Sequence, residues 1–420
     1  TMEETLRRAC IERLKEELVP AMGCTEPIAV AYAAALAKKT LGTLPERAEI
    51  EVSGNILKNV KSVIVPHTGG LRGVESAAAA GFAAGDADRE LEVLSCVREE
   101  EYPRIAEYLK ATPLTVREAQ SGCVFDIGIR AFHGGHTAYV RITGHHTNVV
   151  RLEQDENVLI NRTESGEADP AADPLTVRAI VEFAKEDDLS EVKEALERQI
   201  AYNTAICDEG LKNDWGARVG KTLLSAFGND IHNRAKAWAA AGSDARMNGC
   251  PLPVVVVSGS GNQGITASVP VIAYAEHLHA SHETLLRALA LSDLVTIHLK
   301  SGIGRLSAYC GAVSAGAGAA AGICFLHGGG VDEISHTIVN AIAIDSGMVC
   351  DGAKSSCAAK IACAVESGLI GFELYRAGGQ FYGGDGIVSK GVENTIRNVG
   401  ELASRGMRET DEEIIRLMLK

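Results

Sequence analysis

Apolar residues recur at helical spacing at the start of the chain. Leu6, Ala9, Ile11, Leu14 and Leu18 share one face between Thr5 and Leu18, the period of an amphipathic helix. Pro20 interrupts the run. Glu26-Pro27 then opens a second apolar stretch through Ala37, with proline in a first turn, where its missing N–H costs nothing. From about Ala48 the period shortens. Ile50–Ser53, Ser62–Val65, Leu91–Leu94 and Leu114–Arg117 read as strands, and Ile127–Phe132 with Ala138–Ile142 as a hairpin across His133-Gly134-Gly135-His136. Arg104–Lys110 reads as a short helix between them. A polar, Asp/Glu-rich connection, Gln154–Asp173, ends the alternation. Beyond it the pattern is helical. Leu189, Val192, Leu196, Ile200 and Cys207 keep one face, as do Val392, Ile396, Val399 and Leu402. Asp188-Leu189-Ser190-Glu191 and Thr410-Asp411-Glu412-Glu413 have the form of capping boxes. The pattern predicts an α+β fold. A mainly helical catalytic domain is built discontinuously from residues 1–44 and 160–420, and a smaller α/β module, 45–159, is inserted into it.

Composition sharpens this picture. Hydrophobic residues make up 46% of the 420 and charged residues 23%, the balance of a soluble globular chain with a large core. Aromatics are only 5% while glycines number 44, so small residues must do much of the packing. Ala312–Leu326 is too short and too rich in Gly, Ala and Ser for a membrane span. It reads as a buried helix that neighbours approach closely, and such helices admit a homodimer as readily as a tight monomer core. The net charge is −14 with no basic cluster, which argues against nucleic acid and anionic membrane as partners. The first residues, Thr1-Met2-Glu3-Glu4, lack the basic and apolar pattern of a signal peptide, so a cytoplasmic location is expected. Without a secretory signal, the eleven cysteines do not read as a disulfide framework. The default for each is a small buried hydrophobe.

Several motifs fall away. Gly216–Thr222 resembles a phosphate loop, but its glycines are one residue too close and no apolar strand precedes it, so an ordinary helix start is expected. There is no C-x-x-C, and neither His133, His136, His145 and His146 nor His277, His279 and His282 form a zinc-protease pattern.

Three features remain. The loop Ser258-Gly259-Ser260-Gly261-Asn262-Gln263-Gly264 follows four valines and precedes an apolar helical run. A backbone this bare can approach an anion. The hydroxyls and amides of Ser258, Ser260, Asn262 and Gln263, together with Ser53-Gly54-Asn55, are candidates for the carboxylate and amine of a substrate. Cys24 stands just before a helix N-terminus, where the dipole favours thiolate and equips it as a base, nucleophile or metal ligand. Finally, Cys310-Gly311 and Cys350-Asp351-Gly352…Cys357 place three thiols beside Gly-containing breaks. Three thiolates can hold three irons of a [4Fe–4S] cluster and leave the fourth open. Spacing alone does not separate that reading from three core cysteines.

Taken in order, Cys24-Thr25-Glu26-Pro27, the Ser258–Gly264 loop, Cys310-Gly311 and Cys350-Asp351-Gly352…Cys357 resemble the iron–sulfur L-serine dehydratase α-chain family. Asp244–Gly249 and Gly384–Val388 resemble its L-cysteine desulfidase branch. The resemblance spans nearly the whole chain. It implies a [4Fe–4S] cluster on Cys310, Cys350 and Cys357, no pyridoxal phosphate, a catalytic part for Cys24, and β-elimination from a small amino acid, L-cysteine or L-serine. Cys324 and Cys363 do not match ligand positions and return to the core. Gly-Cys-Thr replaces the Ser-Ser-His of serine dehydratases, and Met418-Leu419-Lys420 lacks their C-terminal cysteine. Both departures point to the desulfidase branch. A cluster-binding redox sensor would use the same three cysteines without a substrate pocket.

Overall fold

The structure, a computed structural model, describes residues 3–162, 173–304 and 306–420. The opening pattern forms α1 (Glu4–Glu17), and the short strand β1 (Pro20–Met22) leads to α2 (Thr25–Leu41). α2 ends at Gly42, whose φ of 84° is the left-handed conformation glycine takes without strain. There follow β2 (Arg47–Val52), α3 (Gly54–Val60), α4 (Val74–Ala84), α5 (Tyr102–Ala111), β3 (Leu114–Glu118), β4 (Asp126–His133), β5 (His136–Thr143), β6 (Val149–Gln154) and β7 (Asn157–Asn161).

β2 to β7 make one mixed sheet in the order β3-β2-β4-β5-β6-β7, with β2 and β3 parallel and the other neighbours antiparallel. The β4–β5 hairpin turns on Gly134 and Gly135, both at positive φ, the geometry that matches strand twist. Ile50, Val52, Ile127, Ile129, Val140 and Ile142 point to one buried face, against Ile28 to Ala37 of α2 and Ala77 to Ala83 of α4. The two helices touch at Gly81. A Cβ there would lie 2.1 Å from the Ala31 carbonyl oxygen, so a side chain would push the helices apart at a cost of about 1–3 kcal/mol.

Two strand expectations and one connection fail here. Ser62–Val65 makes only an isolated bridge, Ile64 to Arg72, because Pro66 and the turn after it break the ladder. Leu91–Leu94 lies in a 3-10 and turn segment. The polar connection after Gln154 folds back as β7, on a turn whose Asp155 takes a positive φ of 51°. Its remainder, 163–172, lies outside the described residues.

The rest is helical: α6 (Val177–Glu186), α7 (Lys193–Lys212), α8 (Val219–Phe227), α9 (Ile231–Met247), strand β8 (Pro253–Val255), α10 (Gly261–His277), α11 (His282–Ser301), α12 (Gly311–Leu326), α13 (Val331–Ile344), α14 (Cys357–Arg376), α15 (Val392–Glu401) and α16 (Arg408–Met418). The molecule is thus α+β and mainly helical. α12, the small-residue helix, is central and packs on α10, α11, α13 and α14. A Cβ on Gly316 would meet the Ala364 carbonyl oxygen at 2.4 Å, and one on Gly318 the Thr296 hydroxyl at 2.2 Å. Glycine there sets how closely α14 and α11 approach. Gly216–Thr222 is a helix start, as expected. The two predicted capping boxes are not caps. Asp188 accepts the Ser190 N–H in a turn before α7, and Thr410 lies inside α16. No described helix is long and apolar enough to cross a membrane. Antiparallel pairing of β1 with β8, Ala21 opposite Val254, brings the start of α2 beside the start of α10.

Candidate active site

Four long helices begin at one place. Cys24 is the N-cap of α2, Ser260 of α10 and Cys310 of α12, and Cys357 is the first residue of α14. Their first turns wall a cavity of about 100 Å³ that Cys24, Thr25, Glu26, Ser260, Asn262, Gln263, Cys310, Gly311, Cys350, Cys357 and Lys360 all line. Each helix end carries about half a positive charge from its unpaired N–H groups. Arg246, Lys300 and Lys360 add three cations to the same lining. Glu26 lies in the same lining and Asp351 pairs with Lys360, so the cations are partly balanced, while the helix starts still offer unpaired N–H groups to an anion.

The three candidate ligand thiols occupy one side. An antiparallel bridge between Tyr309 and Val349 fixes the spacing of Cys310 and Cys350, with the Cys350 N–H donating to Ala308 O at 2.6 Å and the Cys310 N–H to Met348 O at 3.1 Å. The loop from Cys350 to Cys357 is pinned at several points. Ser355 donates to Asn248 Oδ1 at 3.0 Å, and Lys58 Nζ, wholly buried, donates to the Cys350 carbonyl at 3.2 Å and to Asp411 at 2.6 Å. Gly352 sits at φ +94°, where a Cβ would strike the Lys58 carbonyl at 2.3 Å. Asp351 binds Lys354 and Lys360. These bonds outweigh its burial and bring its carboxyl down to about 2.

Burial pushes the Cys310 thiol up to about 12, reinforced by Cys350 and opposed by the Ala312 N–H. Burial raises Cys357 as well, against the Lys354 N–H. Thiols so placed are neutral by themselves and ionise only when a metal takes the proton's place. No three His, Cys, Asp or Glu side chains among the described residues converge on a position for a single ion. The three thiols line one cavity from separate segments, and a multi-iron cluster would take each on a different iron. The donor set fits such a group, while Gly311 and Gly352 are bare to admit the Gln263 amide and the Lys58 carbonyl.

Cys24, at the start of α2, forms a small buried cluster with Val63 and Met247, against which Cys357 packs. Its charge state differs from the sequence expectation. The thiol is buried and donates to Glu26 Oε2 at 3.3 Å. Desolvation, then the Glu26 charge, raise it well above its ordinary value, outweighing Arg246. The helix dipole alone does not make it a thiolate. Glu26 accepts also from Thr25 at 3.2 Å, and its other oxygen lies 3.3 Å from His146 Nε2. Burial would raise Glu26, but His146 and then Cys24 outweigh it and hold the carboxyl at about 2. A hydrogen-bonded row therefore leads from the cavity to the turn between β5 and β6, where His146 meets the Phe125 ring edge-on.

Of the substrate-binding candidates, Ser260, Asn262 and Gln263 line the cavity and the others do not. Ser53 caps α3, accepting the Ile56 N–H and donating to the Val124 carbonyl. Asn55 is buried in α3, its carbonyl accepting from Asn59. Ser258 holds a tight turn at φ 51°. Cys324 is buried away from the cavity, and Cys363 is exposed on α14 rather than in the core. Gly384–Val388 closes its own turn outside the lining. Sequence reasoning missed Glu26 and His146, and did not single out Arg246, Lys58, Lys300 or Lys360. The acidic residue at the second position of α2 was the one local signal, since it precedes an otherwise apolar, buried helix. A larger, open hollow of about 520 Å³ between Ile387 and Arg405 lies elsewhere and carries no thiol.

Residues 88–416 match the family model described as serine dehydratase alpha chain. The chain is 54% identical to a UPF0597 protein of Desulfitobacterium hafniense, over 97% of this chain and 95% of that one. It is 49% identical to a UPF0597 protein of Lachnoclostridium phytofermentans, over 97% and 99%. A third, from Treponema denticola, is 44% identical over the full length of both.

Proposed function

The chain belongs to the serine dehydratase alpha chain family, and on that premise we propose that it is a β-eliminating lyase of small L-amino acids, an L-cysteine desulfidase. One observation carries the reading. Cys310, Cys350 and Cys357 share a small cavity with a fourth thiol, Cys24, and with the Asn262 and Gln263 amides. Its polar and thiol lining suits a small polar ligand. The three thiols would hold a [4Fe–4S] cluster, which supplies a Lewis-acidic iron toward the substrate's β-substituent.

The residues around it do the rest. The helix starts of α10 and α12 hold the substrate's negative end. Cys24 gives its proton out along the row through Glu26 toward His146, with Glu26 itself remaining a carboxylate, and the resulting thiolate takes the substrate's α-proton. As the Cα–H bond breaks, its electron pair forms the Cα–Cβ double bond and the β-sulfur leaves as sulfide. Aminoacrylate tautomerises and hydrolyses to pyruvate and ammonia. Cys24, where serine dehydratases carry another motif, supports cysteine as the substrate.

Anaerobic purification, followed by iron and sulfide determination and by assay of pyruvate from L-cysteine and L-serine, tests the proposal. Stoichiometric iron and faster pyruvate release from L-cysteine are expected. Iron-free protein after anaerobic handling would remove the cluster, and faster turnover of L-serine would make it a serine dehydratase.

A further inference from the structure

Arg246 ends α9 and is 2% exposed. Nη2 donates to the Gly23 carbonyl at 2.7 Å, and Nη1 to Asn262 Oδ1 at 3.2 Å. Both acceptors are neutral. Nε is buried without a partner. A guanidinium has five N–H donors in a rigid fork, and this one lines the cavity. Among the described residues no carboxylate forms an ion pair with it. Glu26, the acidic residue of the same lining, spends its oxygens on Cys24, Thr25 and His146. The other cations are differently placed: Lys360 is neutralised by Asp351, and Lys300 has a contact of its own.

A buried charge without a counter-charge is a strong penalty unless an anion completes it. The fold nevertheless makes room for this one. A Cβ on Gly261 would lie 2.3 Å from Arg246 Nε, so the first residue of α10 must be bare for the guanidinium to lie against it. Gly23, whose carbonyl holds Nη2, stands at φ +72° with Pro66 where its Cβ would be. The fork is thus seated on backbone, beside the starts of α2 and α10, with donors to spare.

We propose that Arg246 is the anchor for the substrate's α-carboxylate, which fixes the ligand class as small molecules carrying a carboxylate. This rests on the lyase reading for the identity of the substrate, but its test does not. L-alanine has no β-leaving group and reports binding without turnover, and ethylamine is its counterpart without the carboxylate.

Calorimetry on anaerobic, iron-loaded protein should show L-alanine binding at least 100-fold tighter than ethylamine. R246Q should weaken L-alanine at least 10-fold, leave ethylamine unchanged and raise KM for L-cysteine more than it lowers kcat. R246K, which keeps the charge but not the fork, should fall between and guards against a folding failure in R246Q. Equal binding of L-alanine and ethylamine by the parent protein would overturn the anchor. So would variants of unchanged iron content and Tm that bind L-alanine as the parent does. A protein that discriminates through Arg246 yet releases no pyruvate keeps the anchor and loses the desulfidase reading.

Discussion

The two sides of the cavity differ in what they need. On the α2 side, Cys24, Glu26, Thr25 and His146 satisfy one another through hydrogen bonds of 3.2–3.3 Å. That side is complete as protein. On the α12 and α14 side, three thiols are held in place by backbone, yet Cys310 and Cys357 are pushed up by burial and donate no strong hydrogen bond, Cys357 reaching Gly352 O only at 3.6 Å. That is the side where the proposed cluster would bind. A side that satisfies itself can tune proton transfer by small geometric changes, whereas a side that binds a cluster works all or nothing.

The largest expected effect follows from this. Cys357→Ser, Cys310→Ser or Cys350→Ser should each abolish cluster absorbance and activity, while Cys363→Ser, on the exposed face of α14, keeps both. Anaerobic visible spectra and pyruvate assays read the difference, and a C357S protein with full iron and turnover would end the contrast. A smaller effect is expected on the other side. Glu26→Gln should lower kcat by roughly 10²-fold, the usual contribution of a proton-transfer group, with iron content unchanged. Loss of iron in E26Q would show that the two sides are not separable.

The smallest effect lies outside both. His298 is buried in α11 between Glu393, at 2.7 Å, and Asp173, at 3.7 Å and beyond hydrogen-bond range. Burial lowers its pKa, but the two carboxylates outweigh this and hold it at about 9. The folded form therefore keeps a proton that the unfolded chain releases near its ordinary 6.5. This stabilisation is complete below that value and is lost as the pH rises to about 9, at about 1.4 kcal/mol per pH unit. Denaturant midpoints at pH 6, 7.5 and 9 should fall accordingly, and H298Q should flatten the fall.

How much of this was legible depended on the distance over which each residue acts. The α+β class, the hairpin at Gly134-Gly135 and the buried character of α12 follow from local periodicity and small-residue content, which are written in consecutive residues. The thiols were legible as an ordered set across the chain. Glu26 and His146 lie 120 positions apart, and Arg246 finds Gly23 across 223. No local pattern encodes such pairs. Ser53 and Asn55 misled because a polar, Gly-containing stretch serves equally as a helix cap or a binding loop. Ser62–Val65 misled because β-branched residues also fill cores without pairing.

Lys58 adds a constraint of another kind, one of timing. Its ammonium binds the carbonyl of Cys350 and the carboxylate of Asp411, 292 and 353 positions later in the chain. During synthesis this buried cation has neither partner until almost all of the described chain has been made. The ligand loop thus cannot be locked while the sheet region is folding on the ribosome. The final setting of the Cys350–Cys357 loop therefore waits for α16 to bring Asp411 to Lys58.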